Sequence, residues 1–219
     1  IDDIAVVAKV PEFDGSFETG WEDWGAGNGV WQIGTPTDDS IGCYSGTQCA
    51  GTVLDGNYPP NTDSRLTGAT VQLPVLNAGE ELHLRFMQWF AVSSGDPGQA
   101  QIQVFDENSG QWGAWENIGE PTVHVSSGWT LKDIDISAYT GLWVRLGFYH
   151  TADSSYQSTG WYIDDIAVVA KVPEFDGSFE SGWENWGASN GVWQIGTPAD
   201  DSIGCYSGTQ CAGTVLDGN

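Results

Sequence analysis

Four cysteines occur as two copies of one pair, Cys43/Cys49 and Cys205/Cys211. Each pair closes the stretch Cys-Tyr-Ser-Gly-Thr-Gln-Cys, a spacing that suits a small disulfide-bonded loop. Zinc would need two further ligands nearby, and Ile-Gly-Cys-Tyr-Ser-Gly-Thr-Gln-Cys offers none. Closing so short a loop contributes about 2–3 kcal/mol in the chain-entropy picture. Such bonds persist in oxidising compartments, so the chain reads as extracellular or cell-surface. A second group with chemistry is the pair Asp164-Asp165, inside the β-prone run from Gly160 to Val169. Neighbouring side chains on a strand face opposite ways, so one of the two carboxylates points inward. A buried carboxylate is costly unless paired or coordinated. Residues 11–172 hold 21 acidic side chains and five basic ones, Arg65, Arg85, Lys132, Arg145 and Lys171. A metal is therefore the expected partner.

Tryptophan is the third group. Exposed indoles stack on sugar rings, whereas buried ones fill cores. Trp31 and Trp161 lie in strand contexts and read as core. Trp112 and Trp115 flank an expected loop, where a carbohydrate platform is conceivable. Trp89 and Trp143 fall on the face opposite the aliphatic residues of their strands, which leaves them for solvent, for a sugar, or for contacts between units or chains. Catalytic signatures are missing. His83, His124 and His150 sit in no zinc or triad motif, and His83 reads as a strand-surface residue. Ser45-Gly46 and Ser126-Ser127-Gly128 read as turns rather than nucleophile elbows. With 21 acids in one unit, some carboxylate pair at glycosidase spacing is unavoidable and uninformative. The expectation is a protein that is not an enzyme.

Thirty acidic residues against six basic ones give a formal net charge of −24. That surface repels nucleic acid and anionic membranes, and attracts cations. No apolar run reaches the length of a membrane span, so direct membrane insertion is not expected.

Residues 1–57 and 163–219 align without a gap and differ only at Thr19/Ser181, Asp23/Asn185, Gly27/Ser189 and Thr37/Ala199. An offset of 162 residues is far longer than a solenoid unit, so each repeat is a domain in a tandem array. Pro11 and Pro173 punctuate the pattern. The expected division is residues 1–10 as the final strand of a preceding repeat, 11–172 as one complete repeat, and 173–219 as the start of the next. The short connection between repeats favours a stiff rod. Alternation marks strands at Leu82–Phe86, at Gln101–Val104 and at Leu142–Phe148, the last with Leu142, Val144, Leu146 and Phe148 inward. Turn clusters such as Ser94-Gly95-Asp96-Pro97-Gly98 separate them. The fold class is all-β, a jelly-roll β-sandwich.

The unit opens on Phe17-Glu18 and Trp21, runs through Trp31 and Gly34-Thr35-Pro36-Thr37-Asp38-Asp39, and closes on Gly160-Trp161-Tyr162-Ile163-Asp164-Asp165-Ile166. This resembles the MAM-like jelly rolls, including those of bacterial immune-inhibitor-A-type proteins. Ser16 stands where MAM domains usually carry a cysteine, so their disulfide pattern and adhesion roles do not transfer. The resemblance implies that the first and last strands lie together around a cation. The implied ligands are Glu18, Asp38 or Asp39, and one of Asp164 and Asp165, and an all-oxygen set suits Ca²⁺. Near-identical repeats lead to the expectation of a structural subunit in an extracellular fibre or stalk. Its copies would associate in tandem and laterally. The alternative is a multivalent carbohydrate-binding adhesin, in which repetition supplies avidity. A third reading is an accessory array on a secreted hydrolase.

Overall fold

The computed structural model describes residues 7–9, 15–38, 40–171, 178–183, 186–199, 204–214 and 216. The expected boundary prolines Pro11 and Pro173, and the candidate ligand Asp39, lie outside them. The chain divides into two compact units, one of residues 9–76 and 82–170 and one of residues 1–8, 77–81 and 171–219.

The strands are β1 (Val7–Lys9), β2 (Gly25–Gly27), β3 (Gln32–Gly34), β4 (Cys49–Gly51), β5 (Asp63–Gln72), β6 (Glu81–Ala91), β7 (Gly98–Asp106), β8 (Gln111–Asn117), β9 (Thr130–Asp135), β10 (Trp143–Thr151), β11 (Gly160–Lys171), β12 (Gln194–Gly196) and β13 (Cys211–Gly213). In the larger unit two antiparallel sheets face each other. One runs β3-β4-β11-β6-β9 and the other β2-β5-β10-β7-β8. This is the all-β sandwich anticipated from alternation.

The period-2 pattern places the core. Leu82, Leu84 and Phe86 of β6, Ile102 of β7, and Val144, Leu146 and Phe148 of β10 are all buried between the sheets. Leu142 departs from the expected inward set and is 40 % exposed. The β10–β5 ladder begins at Trp143, opposite Gln72, which leaves Leu142 on the rim beyond it. Aromatic rings fill the middle. Trp161 meets Trp31 at 5.7 Å, Phe148 at 5.7 Å and Phe86 at 6.4 Å between ring centroids, each edge to face. That geometry suits the opposed charges of ring face and ring edge. The Trp161 Nε1–H donates to Gln88 Oε1 at 3.1 Å, so the polar tip of this buried indole is satisfied. The chain can approach the ring only because residue 98 is glycine: a Cβ there would stand 2.5 Å from Trp161 Cε3.

In the smaller unit, β12 and β13 pair with Gln194 opposite Gly213 and Gly196 opposite Cys211. β3 and β4 pair in the same way, Gln32 opposite Gly51 and Gly34 opposite Cys49. Phe179 lies 5.7 Å from Trp186, and Phe17 lies 5.5 Å from Trp24. Like sequences adopt like local structure in the two units.

Candidate functional site

The expected chemistry divides between two places in the larger unit. The first is the loop closed by the Cys43–Cys49 disulfide; Cys205–Cys211 forms its counterpart in the smaller unit. Glu18 reaches this loop from the start of the domain. Its carboxylate accepts the Thr47 amide at 3.0 Å and the Gln48 amide at 2.8 Å, and these bonds, Gln48 first, hold its pKa below the ordinary carboxylate range. Glu180 accepts the Thr209 and Gln210 amides in the same way. Gly46, at φ +55°, sits where any side chain would collide with the Glu18 carboxylate. Asp164 of β11 reaches the loop from the other side. It is wholly buried, accepts the Ser45 amide at 3.1 Å and the Asp165 amide at 2.8 Å, and burial pushes its pKa up to about 6. Asp165, in the left-handed backbone region at φ +48°, accepts the Ser45 hydroxyl at 3.0 Å.

The segment just before Glu18 meets β11, through an isolated bridge between Gly15 and Ile166. Three of the implied ligands, Glu18, Asp164 and Asp165, therefore converge on one loop. Asp38 does not join them. It caps a turn instead, accepting the Ser40 hydroxyl at 2.6 Å and the Ser40 amide at 2.9 Å. Among the described residues no three acidic, histidine or cysteine side chains come close enough to hold one ion. Backbone carbonyls would have to complete any shell here.

The second place is the outer face of β2-β5-β10-β7-β8. Residues that alternate away from the core line up across it. Arg145 stands opposite Gln103 and Thr70, Gly147 opposite Gln101 and Thr67, and Tyr149 opposite Arg65 and Gln99. Gln103 is in turn opposite Trp115, and Phe105 opposite Trp112. Trp112 and Trp115 were expected to flank a loop. They belong to strand β8, and the two residues between them, Gly113 and Ala114, form a β-bulge against Val104 rather than a connection. A bulge re-aims side chains, and here it keeps both indoles on the outer face.

These residues build a stacked row. The Arg65 guanidinium lies 4.5 Å from the Tyr149 ring centre and 4.6 Å from that of Trp115. Arg145 lies 5.4 Å from Trp115 and 4.5 Å from Trp112. Each such contact is worth about 0.5–2 kcal/mol, depending on desolvation. Below the row, Gln101 Oε1 accepts Arg65 Nε–H and Gln103 Oε1 accepts Arg145 Nε–H, both at 2.7 Å. The glutamine amides donate onward to Asn117 Oδ1 at 2.8 Å and to the Gly113 carbonyl at 2.5 Å. Gly147 leaves the space the row needs: a Cβ there would lie 2.7 Å from Trp115 and 2.9 Å from Arg65.

Beside Arg145 the row ends in an open pocket of about 230 Å³ lined by Thr70, Phe105, Glu107, Trp112 and Trp143. Trp112, Trp115 and Trp143 are thus gathered on one face. Trp89 is apart, on the outer side of β6, edge-on to Tyr162 at 5.5 Å. Sequence reading found the tryptophans and missed Arg65, Arg145, Gln101, Gln103 and Tyr149. Their signal was the outward half of the same alternation that identified Ile102, Val144 and Phe148 as core.

No family model matches the chain, and the MAM-like reading rests on the sequence resemblance alone. Over 158 residues the chain is 32 % identical to Bacillopeptidase F of Bacillus subtilis (strain 168), a match covering 71 % of this chain and 10 % of that protein. The chain thus spans about a tenth of this relative's length. Among solved structures it is similar to a xylan-binding domain of carbohydrate-binding module family 22, with a TM-score of 0.46 and 14 % identity over 74 % of this chain and 94 % of that one. It is also similar to the K2 cleaved adhesin domain of Lys-gingipain, with a TM-score of 0.42 and 14 % identity over 76 % and 99 % of the two chains.

Proposed function

We propose that the chain is a non-catalytic, extracellular carbohydrate-binding module that holds its ligand on the outer face of β2-β5-β10-β7-β8. The observation that carries this reading is the open pocket, where Phe105, Trp112 and Trp143 present aromatic surface beside polar Thr70 and Glu107. Aromatic planes for the sugar ring and a few fixed polar groups for its hydroxyls are the usual needs of such a site. Two disulfides support an oxidising compartment. Repetition alone suggested a fibre; with a ligand face on each complete repeat, repetition would supply avidity instead. Bacillopeptidase F is by its name a peptidase, and a match to a tenth of it fits a module accessory to an enzyme.

Affinity electrophoresis against a panel of polysaccharides tests the reading. At least one polymer should retard the protein, and Trp112→Ala and Trp143→Ala should each weaken that retention by about thirtyfold, the size of an aromatic anchor of roughly 2 kcal/mol. Both rings lie outside the core, so thermal melts should stay close to wild type. Wild-type indifference to every polymer would end the proposal.

Calcium belongs to the same proposal as a structural ion. Asp164 is a fully buried carboxylate beside a second one, with only amide donors bonded to it. An oxygen-only set of this kind suits a hard cation, held by Asp164 and Glu18 with backbone carbonyls. The ion would supply positive charge where two strand ends and the disulfide loop meet. Differential scanning fluorimetry should show a lower melting temperature in chelator at pH 7.5, restored by calcium and not by magnesium. An unchanged melt would remove the ion.

A further inference from the structure

We infer that the outer face of β2-β5-β10-β7-β8 is built for an acidic polysaccharide, with Arg65 and Arg145 receiving the carboxylates of uronic-acid residues. This rests on the carbohydrate-binding reading and names the class of sugar. The argument begins with scarcity. The chain has six basic residues against thirty acidic ones, yet two of the six stand on one sheet face, flanking the single indole of Trp115. Among the described residues neither is ion-paired. Two carboxylates border the row, Asp63, which accepts the Tyr149 hydroxyl at 2.8 Å, and Glu107 at the pocket; neither bonds to a guanidinium. A protein this acidic could neutralise two arginines many times over. Instead it stacks them on aromatic rings.

The hydrogen bonding says which way the arginines are set. Each spends its Nε–H on a glutamine held from behind, by Asn117 for Arg65 and by the Gly113 carbonyl for Arg145. Rings on either side fix the guanidinium planes. The terminal Nη groups of both donate to no protein acceptor among the described residues. A guanidinium presents paired donors whose spacing matches the two oxygens of a carboxylate, and pre-setting the plane lowers the entropy lost on binding. Lysine could supply the charge but neither the fork nor the stack.

Position relates the charges to the sugar. Arg145 lies over Trp112, which also lines the aromatic pocket. A ring seated in the pocket has its neighbour along the polymer over the arginine row. The ligand that answers both features carries flat sugar rings with an equatorial charge at regular intervals. The rest of the surface sharpens the test, because a net charge of −24 disfavours non-specific contact with any polyanion.

The experiment compares binding of the 219-residue chain to polygalacturonate, to the same polymer with its carboxylates methyl-esterified, and to a neutral β-glucan, by isothermal calorimetry in one buffer. Polygalacturonate should bind at least about tenfold more tightly than its ester. Arg145→Gln and Arg65→Gln should each abolish that preference for the acid over its ester. Arg145→Lys, which keeps the charge, should recover only part of the preference. Should esterified or neutral polymer bind as well as the acid, the anionic assignment falls and the carbohydrate-binding reading stands. Should none of these or any other glycan bind, the carbohydrate reading itself falls, and this inference with it. Should either glutamine variant melt early, Arg145→Lys and the acid-to-ester ratio of the wild type still decide the matter.

Discussion

Truncating Trp161 to alanine is expected to cost about 3–5 kcal/mol of stability, the range for removing a fully buried aromatic side chain. Domains of this size are commonly stable by only about 5–15 kcal/mol, so much of the reserve would go with one side chain. The indole is 0 % exposed and is the hub of the aromatic cluster, touching Trp31, Phe86 and Phe148. Each partner comes from a different stretch of chain, so the void left behind could not collapse by moving one element. A polar loss follows the apolar one. Gln88 Oε1 accepts both Trp161 Nε1–H and the Thr122 hydroxyl, and the truncation leaves it with one donor. Trp161→Phe keeps most of the contact area and loses only that bond, and should cost about half as much or less. Chemical denaturation read by far-ultraviolet circular dichroism gives both numbers. A loss near 1 kcal/mol for the alanine variant would mean that the two sheets can close over the gap, and would contradict this packing.

That position also shows what the sequence could and could not reveal. Trp161 reads as core because it opens a long β-prone run, and burial needs only that local pattern. The Asp164-Asp165 step was legible only in part. One carboxylate is buried, Asp164, but it follows the parity of Tyr162 and lies under the Ser45 amide. Asp165 at φ +48° breaks the alternation between core residues Ile163 and Ile166. Leu142 was misplaced because alternation does not say where a ladder stops. Trp112 and Trp115 read as flanking a loop, and Gly113-Ala114 between them carries no strand propensity; the bulge that holds it in β8 is set by pairing with β7. That pairing is local, within one hairpin, but the shift of register between Gln103 and Phe105 is not written in the residue types. The arginine row failed for a further reason. Arg65 and Arg145 are 80 positions apart, on neighbouring strands, and each alone looks like any solvated strand arginine. Only the register that sets Tyr149 opposite Arg65, and Arg145 opposite Gln103, makes them one structure.

Two buried groups should give the protein a stability profile that hides its own pH dependence. His150 is fully buried, and burial lowers its pKa from 6.5 to about 4, with the Pro97 carbonyl and Asp96 pulling weakly the other way; its ring lies edge-on to Tyr58 at 4.7 Å. The folded state holds this imidazole neutral while the unfolded chain protonates it. Stability therefore falls as pH drops from 6.5 towards 4, by on the order of 3 kcal/mol. Asp164 behaves oppositely. Its carboxyl is raised from 3.8 to about 6 by burial first and by neighbouring Asp165, against the pull of the Ser45 and Asp165 amides. The folded state keeps a proton that the unfolded chain releases, so this contribution is whole below 3.8 and is lost as pH rises through about 6. The two slopes oppose each other over one interval. In chelator, wild-type stability should be nearly flat between about pH 4.5 and 6. The hydrogen-bonded carboxylates Glu18, Asp38, Glu80 and Asp106 are all held below their ordinary values of 4.5 or 3.8, so their contributions fall away only under more acid conditions. His150→Phe should unmask Asp164, with stability decreasing as pH rises across the interval. Asp164→Asn should unmask His150, with stability increasing instead. Urea titrations at three pH values on the three proteins measure this, and the general self-repulsion of an acidic chain cancels in the differences. Parallel profiles for all three would mean that neither group changes its proton affinity on folding. With calcium added, the downward slope of His150→Phe should flatten across this same interval, because the ion favours the ionised carboxylate that burial alone opposes.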